Sequence, residues 1–179
     1  MDRLRLATVW LGGCSGCHMS FLDTDEWLVE LAARVRVVYS PLADVKAYPD
    51  GVDVALVEGA VANADHLHLV REVRARTRHV IAFGDCAVAG NVTALRNPCG
   101  DARSVLQQVY ETAGDLTRGV PRDGILPALL DRVEPVHAVV PVDTFLPGCP
   151  PPADRIMSVL GQLLEGRQPV LQGRDLKAG

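Results

Sequence analysis

Five short runs of near-continuous apolar residues, at 4–10, 36–39, 52–57, 79–83 and 136–142, constrain what this chain folds into more than any other feature. A strand with one wet face alternates apolar and polar residues, whereas a strand covered on both faces has no reason to alternate. The runs therefore predict strands of a parallel sheet held between two layers of helix. Between them the period turns helical. Leu28, Leu31, Ala32 and Val35 recur at three- and four-residue intervals behind Asp23-Thr24-Asp25-Glu26, a start that resembles a capping box. A second helix is predicted over 63–76. A last one is predicted over 151–165, where Ile156, Val159, Leu160, Leu163 and Leu164 form one stripe and the leading prolines suit a first turn. Alternating strands and helices with right-handed crossovers predict an α/β fold: a flavodoxin-like, doubly wound, mostly parallel sheet with helices on both faces.

The pattern weakens between 91 and 135, where it predicts a helix near 101–112, turns at Gly119-Val120-Pro121 and Asp123-Gly124, and a short helix near 126–132. No repeat, low-complexity tract or linker interrupts the chain, so residues 1–179 read as one domain with an irregular tail after about 166. The charge balance, 18 basic against 22 acidic residues with no basic run, argues against nucleic acid or an anionic membrane as partner. Small molecules and proteins are the expected partners. No apolar run reaches the roughly 18 residues of a membrane span, and Met1-Asp2-Arg3-Leu4-Arg5-Leu6 leads straight into a strand, so a cytoplasmic location is expected. In that reducing compartment an odd count of 5 cysteines fits metal or redox chemistry better than a disulfide framework.

The placement of the cysteines sharpens this. Cys14 and Cys17 follow the first predicted strand, Cys86 follows the strand ending at Phe83, and Cys149 lies between the last predicted strand and the last helix. In a parallel sheet all strand carboxyl ends face one edge, so these loops bring the four thiols to one point. Gly12, Gly13, Gly16, Gly84 and Gly148 let backbone pass close to a bulky inorganic core and aim N–H groups at it, while Pro147 and Pro150 stiffen the last loop. Cys17 also lies near a helix N-terminus, which favours thiolate. An iron-sulfur cluster on Cys14, Cys17, Cys86 and Cys149 is the first reading. Structural zinc, a thioredoxin-like dithiol at Cys14 and Cys17, and buried free thiols stay open on the residues alone.

Trp10 followed by Cys14-Ser15-Gly16-Cys17, then Gly84-Asp85-Cys86-Ala87, then Pro147-Gly148-Cys149-Pro150-Pro151 resembles the small-subunit signature of nickel-iron hydrogenases. The run Gly90-Asn91-Val92-Thr93-Ala94-Leu95-Arg96-Asn97, with Phe145-Leu146-Pro147, narrows the resemblance to the soluble, bidirectional NAD-reducing members. The resemblance implies an electron-transfer subunit of a hydrogen:NAD+ oxidoreductase whose matching four cysteines hold one proximal 4Fe-4S cluster. It further implies a large subunit carrying the nickel-iron centre, and diaphorase subunits carrying FMN, further clusters and the NAD site. The related cluster-bearing subunit of respiratory complex I shares the Pro-Gly-Cys-Pro-Pro ending but typically has adjacent cysteines at its first site, so a complex I-like NADH:quinone oxidoreductase stands second. A zinc-stabilised binding module is the remaining alternative. FMN is not expected on this chain, because the first strand-to-helix loop, which wraps the flavin phosphate in such folds, is taken by the segment from Gly12 to Cys17.

Several residues invite over-reading. Cys99, in Asn97-Pro98-Cys99-Gly100, lies away from the predicted strand edge and reads as an ordinary free thiol. His66 and His68 are two positions apart and point to nearly opposite helix faces, so they read as surface or boundary residues. His18 beside Cys17 reads first as a residue with no role specific to the site, with a hydrogen bond to a cluster sulfur or a partner chain as the sharper alternative. Glu58 ends the third predicted strand at the cysteine edge and reads first as a strand-end cap or local ion pair, with a proton-relay role as the sharper alternative.

Overall fold

The computed structural model describes residues 3–112, 119–120, 124 and 126–173. The first half of the chain runs β1 (Leu4–Trp10), α1 (Gly16–Leu22), α2 (Trp27–Arg34), β2 (Val35–Tyr39), β3 (Val52–Glu58), β4 (Val61–Asn63), α3 (Ala64–Arg76) and β5 (Thr77–Phe83). The second half runs α4 (Asp85–Ala89), α5 (Asn91–Ala94), α6 (Ala102–Gln107), β6 (Leu129–Glu134), α7 (Val136–Val139), β7 (Thr144–Leu146) and α8 (Ala153–Leu164). Five strands form one sheet in the order β2-β1-β3-β5-β7, and every neighbouring pair in it is parallel. This is the doubly wound order that the alternation of strands and helices predicts.

The continuous apolar runs are explained by two cores. Ala7, Val9, Ala55, Val57, Val80 and Ala82 point to the face covered by α3 and α7, where Val70, Val73 and Val136 meet them. Leu6, Val54, Leu56, Ile81 and Phe83, the alternate residues of the same strands, point to the face covered by α2 and α8, against Leu31, Ile156, Val159 and Leu160. Successive residues thus fill opposite cores. Among the described residues two helix starts carry side-chain caps: Asn63 accepts from His66 N at 2.8 Å, and Asp101 accepts from Ser104 N at 2.7 Å. Beyond α6 the backbone continues as a π-helical stretch, Gln108–Thr112, so the helix predicted near 101–112 is present in two geometries.

Three expectations are corrected. The apolar run 136–142 is not a strand: Val136–Val139 is a short helix between Pro135 and Pro141, and the fifth strand is Thr144–Leu146. Asp143 sets that strand beside β5 by accepting from Val80 N at 2.8 Å. The region predicted as a helix near 126–132 instead forms β6, which pairs antiparallel with β4. The capping box over 23–26 is a turn joining α1 to α2, with Thr24 Oγ1 donating back to Phe21 O at 2.7 Å and no side-chain cap on α2. Of the turns expected at Gly119-Val120-Pro121 and Asp123-Gly124, Pro121 and Asp123 fall outside the described residues.

Candidate metal centre

Trp10 pairs with Glu58, Glu58 with Phe83, and Phe83 with Leu146, so four strand ends lie on one rung of the sheet. Cys14 comes four residues after Trp10, while Cys86 and Cys149 each come three residues after Phe83 and Leu146. Near-equal necks from one rung carry the thiols to the same edge.

The first loop is held by its glycines and by Glu58. Gly12 and Ala60 exchange backbone hydrogen bonds of 2.9 and 2.7 Å, and a Cβ on Gly59 would lie 2.9 Å from Gly12 backbone. Ser15 then takes a left-handed conformation, φ 65°, and α1 begins. Glu58, 1% exposed, accepts from Cys17 N at 3.4 Å and His18 N at 2.9 Å, and its Oε2 also pairs with His18 Nδ1. The carboxylate therefore holds down the helix turn that carries Cys17. That is the cap role, drawn from β3 instead of from the helix itself.

Asp85 joins the other two loops. Its N donates to Gly148 O at 2.9 Å, and its Oδ1 accepts from Gly148 N at 2.6 Å. The residues preceding Cys86 and Cys149 are thereby clasped together. Gly84, with φ 83°, leaves space that Cys17 fills: a Cβ there would lie 2.1 Å from Cys17 Sγ. Asn91 Nδ2 donates to Cys149 Sγ at 3.4 Å, and Gly16 N donates to Cys14 Sγ at the same distance.

Cys17 and Cys86 are buried, Cys14 and Cys149 exposed. Burial pushes the Cys17 thiol far up from its ordinary value, and Glu58, Cys86, Cys14 and Cys149 push it further. Burial also raises Cys86, opposed by Thr93 and the Val92 N–H, with Cys14 and Cys149 adding to the rise. Each buried thiol thus feels its neighbours as charges. Yet among the described residues no three His, Cys, Asp or Glu side chains converge as ligands of a single metal ion. A tetrahedral zinc with Zn–S near 2.3 Å needs sulfurs roughly 3.8 Å apart. Four thiols at one sheet edge, in loops whose glycines leave room, fit a cluster.

The remaining candidates lie elsewhere. Cys99 is exposed in the turn Asn97–Cys99, with its thiol 3.8 Å from Leu95 O. His66 is half-buried and accepts from Ala62 N at 3.3 Å, while His68 is exposed. His18 stands edge-on to Phe83 at 6.3 Å, and its Nε2 is buried without a hydrogen-bond partner among the described residues. Sequence reasoning missed Asp85 and Asn91 as contacts of the ligand loops. Their adjacency to Cys86 and Gly90 was the available signal.

A parallel sheet with cysteine-bearing loops at its carboxyl edge defines an α/β class with a candidate metal centre, and the comparisons with known proteins narrow it. The family model described as NADH ubiquinone oxidoreductase, 20 Kd subunit, matches residues 14–163, and the chain belongs to that family. The delta subunit of the NAD-reducing hydrogenase HoxS of Cupriavidus necator is 36% identical over 169 residues, covering 92% of this chain and 80% of that protein. A subunit of the F420-non-reducing hydrogenase vhu of Methanococcus voltae is 40% identical over 172 residues, 95% of this chain. The chain spans only 59% of that protein's length, and 58% of its counterpart from Methanocaldococcus jannaschii. A chain in the crystal structure of NAD+-reducing nickel-iron hydrogenase in the H2-reduced state superposes with a TM-score of 0.93 at 42% identity, covering 99% of this chain and 100% of that one. A chain of the Ni-Fe-Se hydrogenase from Desulfomicrobium baculatum, 15% identical with a TM-score of 0.57, shares the fold. The resemblance to the NAD-reducing hydrogenases, drawn from the cysteine motifs and narrowed by the runs at 90–97 and 145–147, is borne out.

Proposed function

We propose that this chain is the electron-transfer small subunit of a cytoplasmic NAD-reducing nickel-iron hydrogenase, holding one 4Fe-4S cluster on Cys14, Cys17, Cys86 and Cys149. The observation that carries the reading is the set of thiols hung from one sheet rung, with Cys86, Cys14 and Cys149 near enough to raise the Cys17 thiol. A four-iron cubane spreads its cysteine sulfurs further apart than one ion does. When bound, such a cluster takes up and releases single electrons.

This chain's own residues prepare the site. Glu58 and Asp85 fix the loops, the glycines leave space, and burial keeps Cys17 and Cys86 away from water. Because burial raises both thiols, loading must displace their protons, and metal uptake weakens as pH falls. Cys14 and Cys149 face outward, toward the large subunit with its nickel-iron centre and the diaphorase subunits with FMN, clusters and NAD. A hollow of about 310 Å³ beside Ser15 and His18, lined by Trp10, Met19, Leu22 and Leu42, supports a protein partner at this edge. Among the described residues no helix is long and apolar enough to cross a membrane.

Anaerobic purification of the assembled complex with iron, sulfide, zinc and nickel analysis, and electron paramagnetic resonance after reduction, tests the reading. Iron and sulfide on this chain with nickel on a copurified chain are expected; zinc without sulfide would end it. The family's name favours a second reading, a complex I-like subunit. Reduction of a quinone instead of NAD by the complex would select it.

A further inference from the structure

Asn91 occupies a backbone position that suits glycine better. Its φ is 36°, directly after Gly90 at 87°, and the two residues turn the chain from α4 into α5. At positive φ a Cβ crowds the adjacent carbonyl, whereas glycine adopts such angles freely and asparagine tolerates them better than most residues. A turn alone would need no side chain here. What asparagine adds is an amide, and its Nδ2 is directed at Cys149 Sγ, 3.4 Å away. The contact lies at the exposed corner of the site, since both Asn91 and Cys149 face outward. The next residues serve the neighbouring thiol: the Val92 N–H faces Cys86, and Thr93 Oγ1 ties the segment to the first ligand loop by donating to Gly12 O at 2.7 Å.

We propose that Asn91 is a positioning residue that tunes the cluster's potential, its amide donating an N–H···S hydrogen bond to the Cys149 thiolate. The inference rests on Cys149 being a cluster ligand. Reduction adds one electron to the cluster and no proton, so negative charge on its sulfurs grows. A fixed N–H aimed at one of those sulfurs stabilises the reduced form more than the oxidised one and raises the potential.

The test uses the full chain reconstituted anaerobically with iron and sulfide, titrated with dithionite and followed by electron paramagnetic resonance. Asn91→Gly keeps the turn and removes the amide; Asn91→Asp keeps the shape, removes the donor and adds negative charge. The expected result is wild-type iron and sulfide content with midpoint potentials falling in the order wild type, Asn91→Gly, Asn91→Asp. Equal potentials at full cluster content would overturn the tuning role while leaving the cluster site intact. Loss of the cluster from both variants would also overturn it, making Asn91 purely structural. A wild-type chain that assembles no iron and sulfide would overturn the parent reading, and this one with it.

Discussion

Replacing Gly84 with alanine tests the placement of Cys17 most directly. Gly84 has φ 83° and ψ 164°, a region open almost only to glycine, and an alanine held there costs about 1 to 3 kcal/mol. The added Cβ would lie 2.1 Å from Cys17 Sγ, hardly longer than a covalent bond to sulfur. Ordinary contacts sit near 3.5 Å or beyond, so roughly 1.4 Å of overlap must be relieved. Neither backbone yields easily. Cys17 N and His18 N are held by Glu58, while Gly84 N and Asp85 N donate to Leu146 O and Gly148 O, each at 2.9 Å. The thiol must therefore swing aside, and overpacking of this kind adds about 1 to 3 kcal/mol.

Gly84→Ala is accordingly expected to lower the unfolding free energy of the metal-free chain by about 2 to 6 kcal/mol, and to lower iron per chain after reconstitution. Gly51→Ala is the control, because Gly51 has φ 68° and, among the described residues, nothing within 4 Å of an added Cβ. It bears only the conformational cost, about 1 to 2 kcal/mol. Urea unfolding of both variants, with iron analysis, separates the two effects. If Gly84→Ala were no less stable than Gly51→Ala and bound full iron, the packing of Cys17 against Gly84 would be refuted.

Glu58→Ala strips the acceptor from two backbone N–H groups and from His18, and is expected to destabilise the chain by at least about 2 kcal/mol; an unmoved urea midpoint would count against the carboxylate as the anchor of α1. Cys99→Ser should retain wild-type iron, whereas Cys149→Ser should not, and the reverse pattern on iron analysis would move the fourth ligand. Tyr48, 2% exposed, hydrogen-bonds Thr77 Oγ1 at 2.7 Å, and burial pushes its phenol from 10.0 up to about 12. The folded state therefore keeps a proton that the unfolded state releases: Tyr48's stabilisation is complete below pH 10 and is lost as pH rises toward 12, at up to about 1.4 kcal/mol per pH unit. Tyr48→Phe should flatten that loss in urea titrations run at about pH 9 and about pH 11, and parallel losses in the two proteins would argue against it.

The central strands were legible because burial on both faces leaves a continuous apolar run, as in Val52–Glu58. The same signal misled at 136–142, because valines at 136, 139 and 140 also fit a helical interval and the flanking prolines favour a short turn. The true edge strand, Thr144–Leu146, is too short to show a period. Its place comes from long-range contacts, with Thr144 meeting His79 at 2.8 Å and Asp143 meeting Val80 at 2.8 Å. The edge on which the cysteines lie was legible for a different reason: a parallel sheet sends every strand's following loop to one edge, though the strand before Cys149 is Thr144–Leu146 and not the expected run 136–142. Asp85 and Asn91 were not, since their partners lie 63 and 58 residues away. Asp85 looked like any helix-start acid, and Asn91 like any turn residue.

The rung formed by Trp10, Glu58, Phe83 and Leu146 also bears on speed. Neighbouring strands stand about 4.8 Å apart, and that spacing is fixed by hydrogen bonds which thermal motion scarcely stretches. Loops rooted in such a ladder can move relative to one another only by bending their own short necks. On the function proposed above, so stiff a frame suits rapid exchange at a group that must change oxidation state many times.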